Sequence, residues 1–212
     1  MGKQKRQKTR ERGDLTPFKS AKQVTAQAPA ILLSDPRYPH NMGAAIRAAS
    51  CFGLKQVWVT GTRVADKVWE GKRIPREERM KGFSDVDIIL NQRPFDHFPS
   101  DVTPVAIELL SGSENLSTFV HPENPVYVFG PEDGGVPSVA RALCHRRVFI
   151  PTFHCTNLGA AVYLVLYDRL LKRQQLGLEP ILTIEEQLAG EYRPALGLGW
   201  PVDDDPEFEA TR

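Results

Sequence analysis

Two short apolar runs in the last third of the chain, each followed by a tight polar loop, constrain the fold most strongly. Val126–Phe129 leads into the glycine-rich loop Gly130–Gly135, and Val148–Ile150 leads into the loop Pro151–Asn157. Short apolar runs bounded by proline, glycine or charged residues are typical of buried strands in an α/β sheet. Ligands bind beyond the carboxyl ends of the strands in such sheets. The sequence therefore predicts one pocket that both loops line.

The rest of the chain alternates further apolar runs with helical segments. A helix of small residues is predicted from Met42 to Phe52, with Asn41 as its N-cap and Gly53 as the residue that ends it. The last long helix is predicted over Leu158–Lys172, and its wide apolar surface fits either a subunit contact or a domain core. These patterns predict an α/β fold with a mostly parallel sheet flanked by helices. Further strands are predicted at Ala30–Ser34, Gln56–Thr60, Asp85–Leu90 and Thr103–Leu109, and short helices after the loop Leu110–Glu114 toward Phe119 and near Leu182–Leu188.

Charge divides the chain into three predicted parts. The 212 residues carry a net charge of only +1, but the charges are unevenly placed. Residues 1–25 form a basic arm, which we expect to be disordered without a partner and suited to neutralising phosphates. Residues 26–175 form the predicted domain, and residues 176–212 form a short helix and an acidic tail. The length suits one core with tails.

The sequence also bounds the compartment and the ligands. The basic arm has no apolar run, so it is not a signal peptide, and no run in the chain approaches the length of a membrane span. Cys51, Cys144 and Cys155 show no pairing pattern, which favours a reducing cytoplasm. None of the cysteine and histidine spacings is that of a metal site, so we expect no metal.

A basic polar segment from Arg63 to Met80 follows the second predicted strand. It has no clean apolar face, and Trp69 is its large aromatic residue. A solvated loop with a short helix is one interpretation. The other is an RNA-contacting surface, in which arginine and lysine bind phosphates and a tryptophan stacks on a base.

Three segments in order carry a resemblance to a known family. Asn41 is followed six residues later by Arg47, the string Gly130-Pro131-Glu132 follows a strand, and Ile150-Pro151 leads to Asn157 at a helix start. Together these segments resemble the three motifs of the SpoU family of RNA methyltransferases, within the SPOUT superfamily. Each motif alone is weak, but three in this order are specific. The resemblance covers Ala30–Leu171.

The resemblance implies a fold, a reaction and partners. It implies an α/β domain with a C-terminal trefoil knot, a homodimer with active sites at the subunit interface, and S-adenosyl-L-methionine as cofactor. The methyl group goes to a ribose 2′-hydroxyl of RNA, with transfer RNA favoured over ribosomal RNA. The implied catalytic residues are Arg47, Asn41, Glu132 and Asn157; the cofactor-binding residues are Glu108, Leu109, Gly130, Glu132, Gly134, Ile150, Thr152, Cys155 and Leu158; and the RNA-binding residues are Arg37, Arg47, Arg73, Arg76 and Arg79.

The implied roles fit the chemistry of these side chains. A ribose hydroxyl is a poor nucleophile, so its deprotonation needs assistance. Arginine holds its proton too firmly to be a good base, so we expect Arg47 to position the hydroxyl and stabilise developing alkoxide charge. Asn41 and Asn157 would orient loops or substrate, and Glu132 would fix Asn41 or Arg47, or cap the helix that follows. The family carries a serine where this chain has Cys155, and a thiol is a weak hydrogen-bond donor.

Three other functions stay open at this point. A base methyltransferase acting on guanine N1 is the first alternative, and the pair Asn41 and Arg47 argues against it. An inactive RNA-binding module is the second, which the substitution at Cys155 makes conceivable. A nucleotide-binding enzyme is the third and weakest, because the glycine loop matches neither GxGxxG nor GxxxxGK[ST].

Overall fold

The computed structural model describes residues 18–19, 24–64 and 85–189. Three predicted RNA-binding residues, Arg73, Arg76 and Arg79, lie outside the described residues, as do most of the basic arm and the acidic tail. The chain divides into two compact units, Met1–Leu171 and Lys172–Arg212. The predicted domain therefore extends a few residues beyond the end of the first unit.

The first unit is built on a parallel sheet. The strands are β1 (Phe18–Lys19), β2 (Ala30–Leu33), β3 (Gln56–Val59), β4 (Asp87–Leu90), β5 (Thr103–Ile107), β6 (Glu114–Asn115), β7 (Pro125–Phe129) and β8 (Arg146–Phe149). They run in the spatial order β1-β4-β3-β2-β7-β5-β8-β6, and each neighbouring pair within the described residues is parallel. Parallel neighbours require crossover connections, so helices and loops cover the faces of the sheet. The predicted α/β class is confirmed.

The register brings the strand ends that carry the predicted loops to one edge. Leu33 at the end of β2 pairs with Phe129 at the end of β7, and Ile107 at the end of β5 pairs with Phe129 and with Val148 of β8. Every residue of β2 and β7 is buried, as expected for central strands with apolar side chains on both faces. The loops after β2, β5, β7 and β8 therefore share one edge of the sheet.

Helix α1 spans Pro39–Cys51, and its start differs from the prediction. Tyr38 is the N-cap and makes no side-chain capping bond, while Pro39 occupies the first helical position. Proline suits that position because its fixed φ matches the helix and it has no N–H to leave unpaired. Asn41 is therefore a helical residue and not the predicted cap, which frees its side chain for other contacts. Gly53 follows the C-cap with φ 74°, as predicted.

Three further helices and two 3-10 turns complete the described elements. Helix α2 spans Ser138–Ala142, α3 spans Leu158–Gln175, and α4, in the second unit, spans Ile184–Ala189. The predicted short helix toward Phe119 is present as a 3-10 turn, which follows strand β6. Asn115 fixes that turn, since its side chain accepts a hydrogen bond from the N–H of Ser117. No described helix is long and apolar enough to cross a membrane. The 3-10 turns are Pro94–His97 and Leu116–Thr118.

A short part of the basic arm joins the sheet. Phe18 and Lys19 pair with Ile88 and Ile89 of β4, so β1 extends the sheet by one short strand. The side chains of Lys19 and Asp87 also form an ion pair. Phe18 and Lys19 therefore belong to the sheet, although the sequence analysis assigned them to a disordered arm of residues 1–25.

Helices α1 and α3 approach each other closely where the site residues lie. A Cβ atom added to Gly159 would lie 2.6 Å from the Cβ of Ala44, a distance that real side chains do not reach. The absence of a side chain at Gly159 therefore permits the close contact. This contact brings the first turn of α1 next to the first turn of α3.

A buried polar cluster ties α3 to the sheet and to the loop that precedes β7. His121 Nδ1 lies 2.6 Å from the hydroxyl of Tyr127 on β7, and His121 Nε2 lies 2.7 Å from Asp168 Oδ2 on α3. The His121 side chain is 3% exposed, so both of its nitrogens need partners. The cluster therefore links α3 to β7 and to the loop before it.

Candidate active site

A cleft of about 540 Å³ opens at the carboxyl ends of the central strands. The loops after β5, β7 and β8 line it, together with the start of α3. Its volume falls in the range of small-molecule and cofactor sites, roughly 300–1,000 Å³. The two loops of the sequence analysis thus share one pocket, and the loop after β5 is its third wall. All nine predicted cofactor-binding residues line the cleft: Glu108, Leu109, Gly130, Glu132, Gly134, Ile150, Thr152, Cys155 and Leu158.

The glycine loop, residues 130–135, is folded so tightly that a side chain at Gly130 would overlap backbone and one at Gly135 would displace the Glu108 carboxylate. A Cβ on Gly130 would lie 2.4 Å from the backbone carbon of Gly135, and a Cβ on Gly135 would lie 2.3 Å from Glu108 Oε2. The Glu108 carboxylate accepts a hydrogen bond from the N–H of Val136. Glu108 lies in the loop after β5, and through this hydrogen bond it holds the C-terminal end of the glycine loop in place.

A chain of hydrogen bonds joins residues from all three sequence motifs. Asn41 Nδ2 donates to Glu132 Oε1 at 2.6 Å, and Asn157 Nδ2 donates to Asn41 Oδ1 at 2.8 Å. Asn157 Oδ1 in turn accepts from the N–H groups of Gly159 and Ala160 in the first turn of α3, at 2.9 and 3.3 Å. Asn41 is 3% exposed, so these bonds satisfy a side chain with little access to water.

Glu132 also anchors the loop after β2. Its Oε2 accepts a hydrogen bond from the N–H of Arg37 at 2.7 Å, and its Oε1 accepts a second bond from the N–H of Tyr38 at 3.3 Å. Glu132 does not cap the following helix, since Pro137 is the N-cap of α2. A carboxylate suits this position because both of its oxygens face donors, whereas the nitrogen of a glutamine would not accept.

The environment of Glu132 favours its ionised form. Burial raises the pKa of Glu132, but the hydrogen bonds from the Arg37 N–H and the Asn41 side chain outweigh burial, so the pKa lies below its usual value. Because the folded-state pKa is lowered, the carboxylate stabilises the fold above the pKa of the unfolded chain. That stabilisation is lost as the pH falls through the lower folded-state value.

Arg47 lies apart from this network. It is exposed on α1, and it is not among the residues that line the cleft. Burial raises the pKa of Tyr163, as does the neighbouring Cys51, whereas the positive charge of Arg47 lowers it. Arg47 therefore lies near Tyr163, on the surface that α1 and α3 share. Among the four predicted catalytic residues, the fold brings Asn41, Glu132 and Asn157 into contact.

An ion-pair cluster next to Glu132 contains Arg63, which begins the basic segment Arg63–Met80 but is not one of the predicted site residues. Arg63 Nη1 lies 3.0 and 2.9 Å from the two carboxylate oxygens of Asp133, and Arg63 Nε lies 2.7 Å from Asp35 Oδ2. Arg37, a predicted RNA-binding residue, contacts Asp133 Oδ2 at 3.3 Å through Nη1. The signal in the sequence that could have identified Arg63 as a site residue was its position in the loop that follows β3.

The remaining predicted features are placed as follows. The three cysteines are free, and Cys155 is exposed in the wall of the cleft. Thr152 is hydrogen-bonded within its own loop, since its hydroxyl donates to the carbonyl of His154 at 2.8 Å. No group of potential metal-ligating side chains forms among the residues that the structure describes.

Comparison with known proteins finds one matching family and many similar structures. The family model described as the SpoU rRNA Methylase family matches residues 28–167. No curated protein sequence matches the chain. Among solved structures, the chain is similar to a TrmH/SpoU tRNA modifying enzyme from A. aeolicus, with 21% identity and a TM-score of 0.60. That alignment covers 76% of this chain and 85% of the other.

Two further structures have the same fold. An AdoMet-bound rRNA methyltransferase from Sinorhizobium meliloti is 20% identical with a TM-score of 0.58, over 75% of this chain and 61% of the other. A protein solved in work on the 2-OH methylation of C/U34 on tRNA is 20% identical with a TM-score of 0.56, over 70% of this chain and 96% of the other. The chain thus spans less than two thirds of the S. meliloti protein.

The shape of the glycine loop gives a testable prediction. We expect Gly130→Ala to lower the free energy of unfolding by about 1–3 kcal/mol, because its new methyl group would overlap backbone atoms that cannot move aside. Gly134→Ala is the matched control, since a Cβ there meets only Pro131 Cγ, at 3.7 Å. We expect the control to change stability by less than about 0.5 kcal/mol. Urea unfolding without cofactor measures both, and equal stabilities would contradict this description of the loop.

Proposed function

Because the chain belongs to the SpoU rRNA methylase family, we propose that it transfers a methyl group from S-adenosyl-L-methionine to a ribose 2′-hydroxyl of RNA. The observation that carries the proposal is the hydrogen-bonded chain from Glu132 through Asn41 to Asn157, which joins the three motifs at the edge of the cleft. Membership of the family makes the protein an RNA methyltransferase that uses this cofactor. The ribose hydroxyl as methyl acceptor is the finer part of the proposal.

The cleft suits the cofactor in size and chemistry. Leu109, Ile150 and Leu158 offer apolar contacts for the adenine ring, and the glycine loop leaves backbone groups accessible near Gly130 and Gly134. Glu132 is ionised and adds negative charge beside a ligand whose sulfonium is positive. When bound, S-adenosyl-L-methionine supplies an electrophilic methyl group. The chain's own residues orient the cofactor and the acceptor hydroxyl.

Arg47 acts on the ribose hydroxyl in this proposal. Its guanidinium donates hydrogen bonds to the attacking oxygen and stabilises the negative charge that develops as the proton leaves. The proton passes to solvent or to an RNA phosphate, since arginine is a poor base. Because Arg47 does not line the cleft of its own chain, the proposal requires a second chain that brings a cleft to it.

We therefore propose a homodimer formed by the surface that α1 and α3 share. Arg47 lies on this surface, and α3 has two large apolar side chains that are exposed: Leu164 at 41% and Tyr167 at 57%. Exposed apolar side chains on one helix face are typical of subunit contacts. The dimer would place Arg47 of one protomer at the cleft of its partner. The wide apolar surface of α3 then faces the core on one side and the partner on the other.

Transfer RNA is the favoured substrate class. The alignments cover 85% and 96% of the two proteins whose descriptions concern tRNA, but 61% of the rRNA methyltransferase from S. meliloti. The chain therefore resembles the tRNA-linked proteins over more of their length. Arg37, Arg73, Arg76 and Arg79 are proposed to contact RNA phosphates. A reducing compartment such as the cytoplasm suits the free thiols of Cys51, Cys144 and Cys155.

The reaction is tested by supplying methyl-labelled S-adenosyl-L-methionine with separate transfer and ribosomal RNA fractions, followed by nucleoside mass spectrometry. We expect a 2′-O-methyl nucleoside in the transfer RNA fraction. Arg47→Ala should lower turnover about 100-fold or more while leaving cofactor affinity unchanged, because its hydrogen bonds form to the attacking oxygen.

Arg93→Ala is the control for that variant, since Arg93 is 80% exposed and its ion pair is to the nearby Asp96. Detection of a methylated base would contradict the ribose as the methyl acceptor and would show that the protein is a base methyltransferase. Cofactor binding without label in either fraction would favour the inactive RNA-binding module. Unchanged turnover in Arg47→Ala would remove the role assigned to Arg47.

The dimer is tested by light scattering after size exclusion. We expect the wild-type protein to have about twice the mass of the chain and Tyr167→Glu to have the mass of one chain, because the variant buries a charge in the apolar contact. Val139→Glu is the matched control, since Val139 is 76% exposed on α2, outside the proposed contact. A wild-type protein that stays monomeric at micromolar concentration would contradict the dimer.

A further inference from the structure

We propose that Arg63 is a positioning residue that holds the glycine loop in the shape that binds the cofactor. It does so as part of a clamp, which we define as Arg63 together with Asp35 and Asp133. The inference rests on the proposed function, because it concerns affinity for the cofactor of that reaction. It assigns a role to a side chain that lies outside the cleft and outside the three sequence motifs.

The first half of the clamp is the contact between Arg63, in the loop after β3, and Asp35, in the loop after β2. Arg63 Nε lies 2.7 Å from Asp35 Oδ2 and donates to the Asp35 carbonyl at 3.1 Å. Asp35 has φ 45°, and its N–H donates to the carbonyl and hydroxyl oxygens of Thr60 at 3.1 and 3.2 Å. A Cβ on Gly61 would lie only 1.9 Å from Asp35 Oδ1. The Asp35 carboxylate therefore occupies space that only glycine leaves free.

The second half of the clamp reaches the glycine loop. Arg63 Nη1 contacts both carboxylate oxygens of Asp133, at 3.0 and 2.9 Å, and Arg37 adds a contact at 3.3 Å. The hydrogen bond from Arg63 lowers the pKa of Asp133, and the same bond raises the pKa of Arg63. Both groups therefore stay charged at neutral pH. A planar guanidinium can bind both aspartates at once, which an ammonium group cannot do with the same geometry.

Asp133 is flanked by two residues that line the cleft, Glu132 and Gly134. Glycine-rich backbone loses more conformational freedom on ordering than other backbone, so an untethered loop would lower affinity by that cost. The loop has a tether at its far end, the bond from the Val136 N–H to Glu108, and Glu132 has its own contacts with α1. Asp133 adds a further tether in the middle of the loop, on the solvent-exposed side of Glu132.

Loss of the clamp should change cofactor affinity and not global stability. Arg63 and Asp133 are partly exposed, at 32% and 41%, and exposed pairs contribute only about 0–1 kcal/mol to stability. Its removal should therefore barely affect global unfolding. It should affect the one property that depends on the shape of residues 130–135, which is cofactor affinity.

The test is a double-mutant cycle on cofactor binding, using calorimetry with S-adenosyl-L-methionine and the full chain. We expect Arg63→Ala and Asp133→Ala each to weaken binding roughly 5- to 10-fold, and the double variant to be no weaker than either single variant, because the two side chains act as one contact. Arg63→Lys should recover little of the loss. Arg93→Ala is the control and should bind like the wild type, with melting temperatures similar throughout.

Either wild-type cofactor affinity or wild-type hydrogen exchange in Arg63→Ala would overturn the proposal. Wild-type cofactor affinity in Arg63→Ala would remove the positioning role while leaving the proposed function intact. A variant that binds cofactor normally but has a raised KM for RNA would make Arg63 an RNA contact instead. Should the wild type bind no S-adenosyl-L-methionine, the proposed function fails, and amide hydrogen exchange still tests the clamp. Arg63→Ala must then speed exchange at Gly134 and Val136, and unchanged exchange would contradict the clamp itself.

Discussion

The Glu132 carboxylate connects more of the site than any other group among the described residues. It accepts hydrogen bonds from the backbone of Arg37 and Tyr38 and from the side chain of Asn41, and Asn41 accepts one from Asn157. These residues come from the loop after β2, the first turn of α1, the glycine loop and the start of α3. Charge-assisted hydrogen bonds are stronger than neutral ones, so an ionised glutamate is an effective hub. This one group therefore links the glycine loop to the loop after β2, to α1 and, through Asn41, to the start of α3.

Close packing of backbone is the second condition for this arrangement. Gly130 lets the glycine loop fold back against its own backbone, and Gly159 lets α3 approach Ala44 on α1. Any side chain at either position would separate segments that must meet within hydrogen-bond distance. Ala44 and Gly159 therefore serve the site directly, since their small size lets Asn41 and Asn157 come within hydrogen-bond distance.

The central strands and their loops could be predicted from the sequence because the signals are local. Apolar runs bounded by glycine or proline identified the strands near residues 30, 56, 103, 126 and 148, and the parallel sheet then placed the loops at one edge. Contacts that join distant residues gave no such signal. Arg63 and Asp133 are separated by 70 positions, and their pairing depends on β2, β3 and β7 lying side by side. The cap at Asn41 was predicted wrongly because Pro39 starts α1 earlier. The role proposed for Arg47 requires a second chain, which one sequence does not describe.

The hub role of Glu132 is measured most directly by a double-mutant cycle on the free energy of unfolding, with Glu132→Ala, Asn41→Ala and the double variant at pH 7. Each single variant removes one partner of the charge-assisted hydrogen bond of 2.6 Å between these side chains, and the double variant removes both. The account predicts a coupling energy of about 1–3 kcal/mol between the two positions. Effects that add to within about 0.3 kcal/mol would show that the two side chains are independent and would contradict the account.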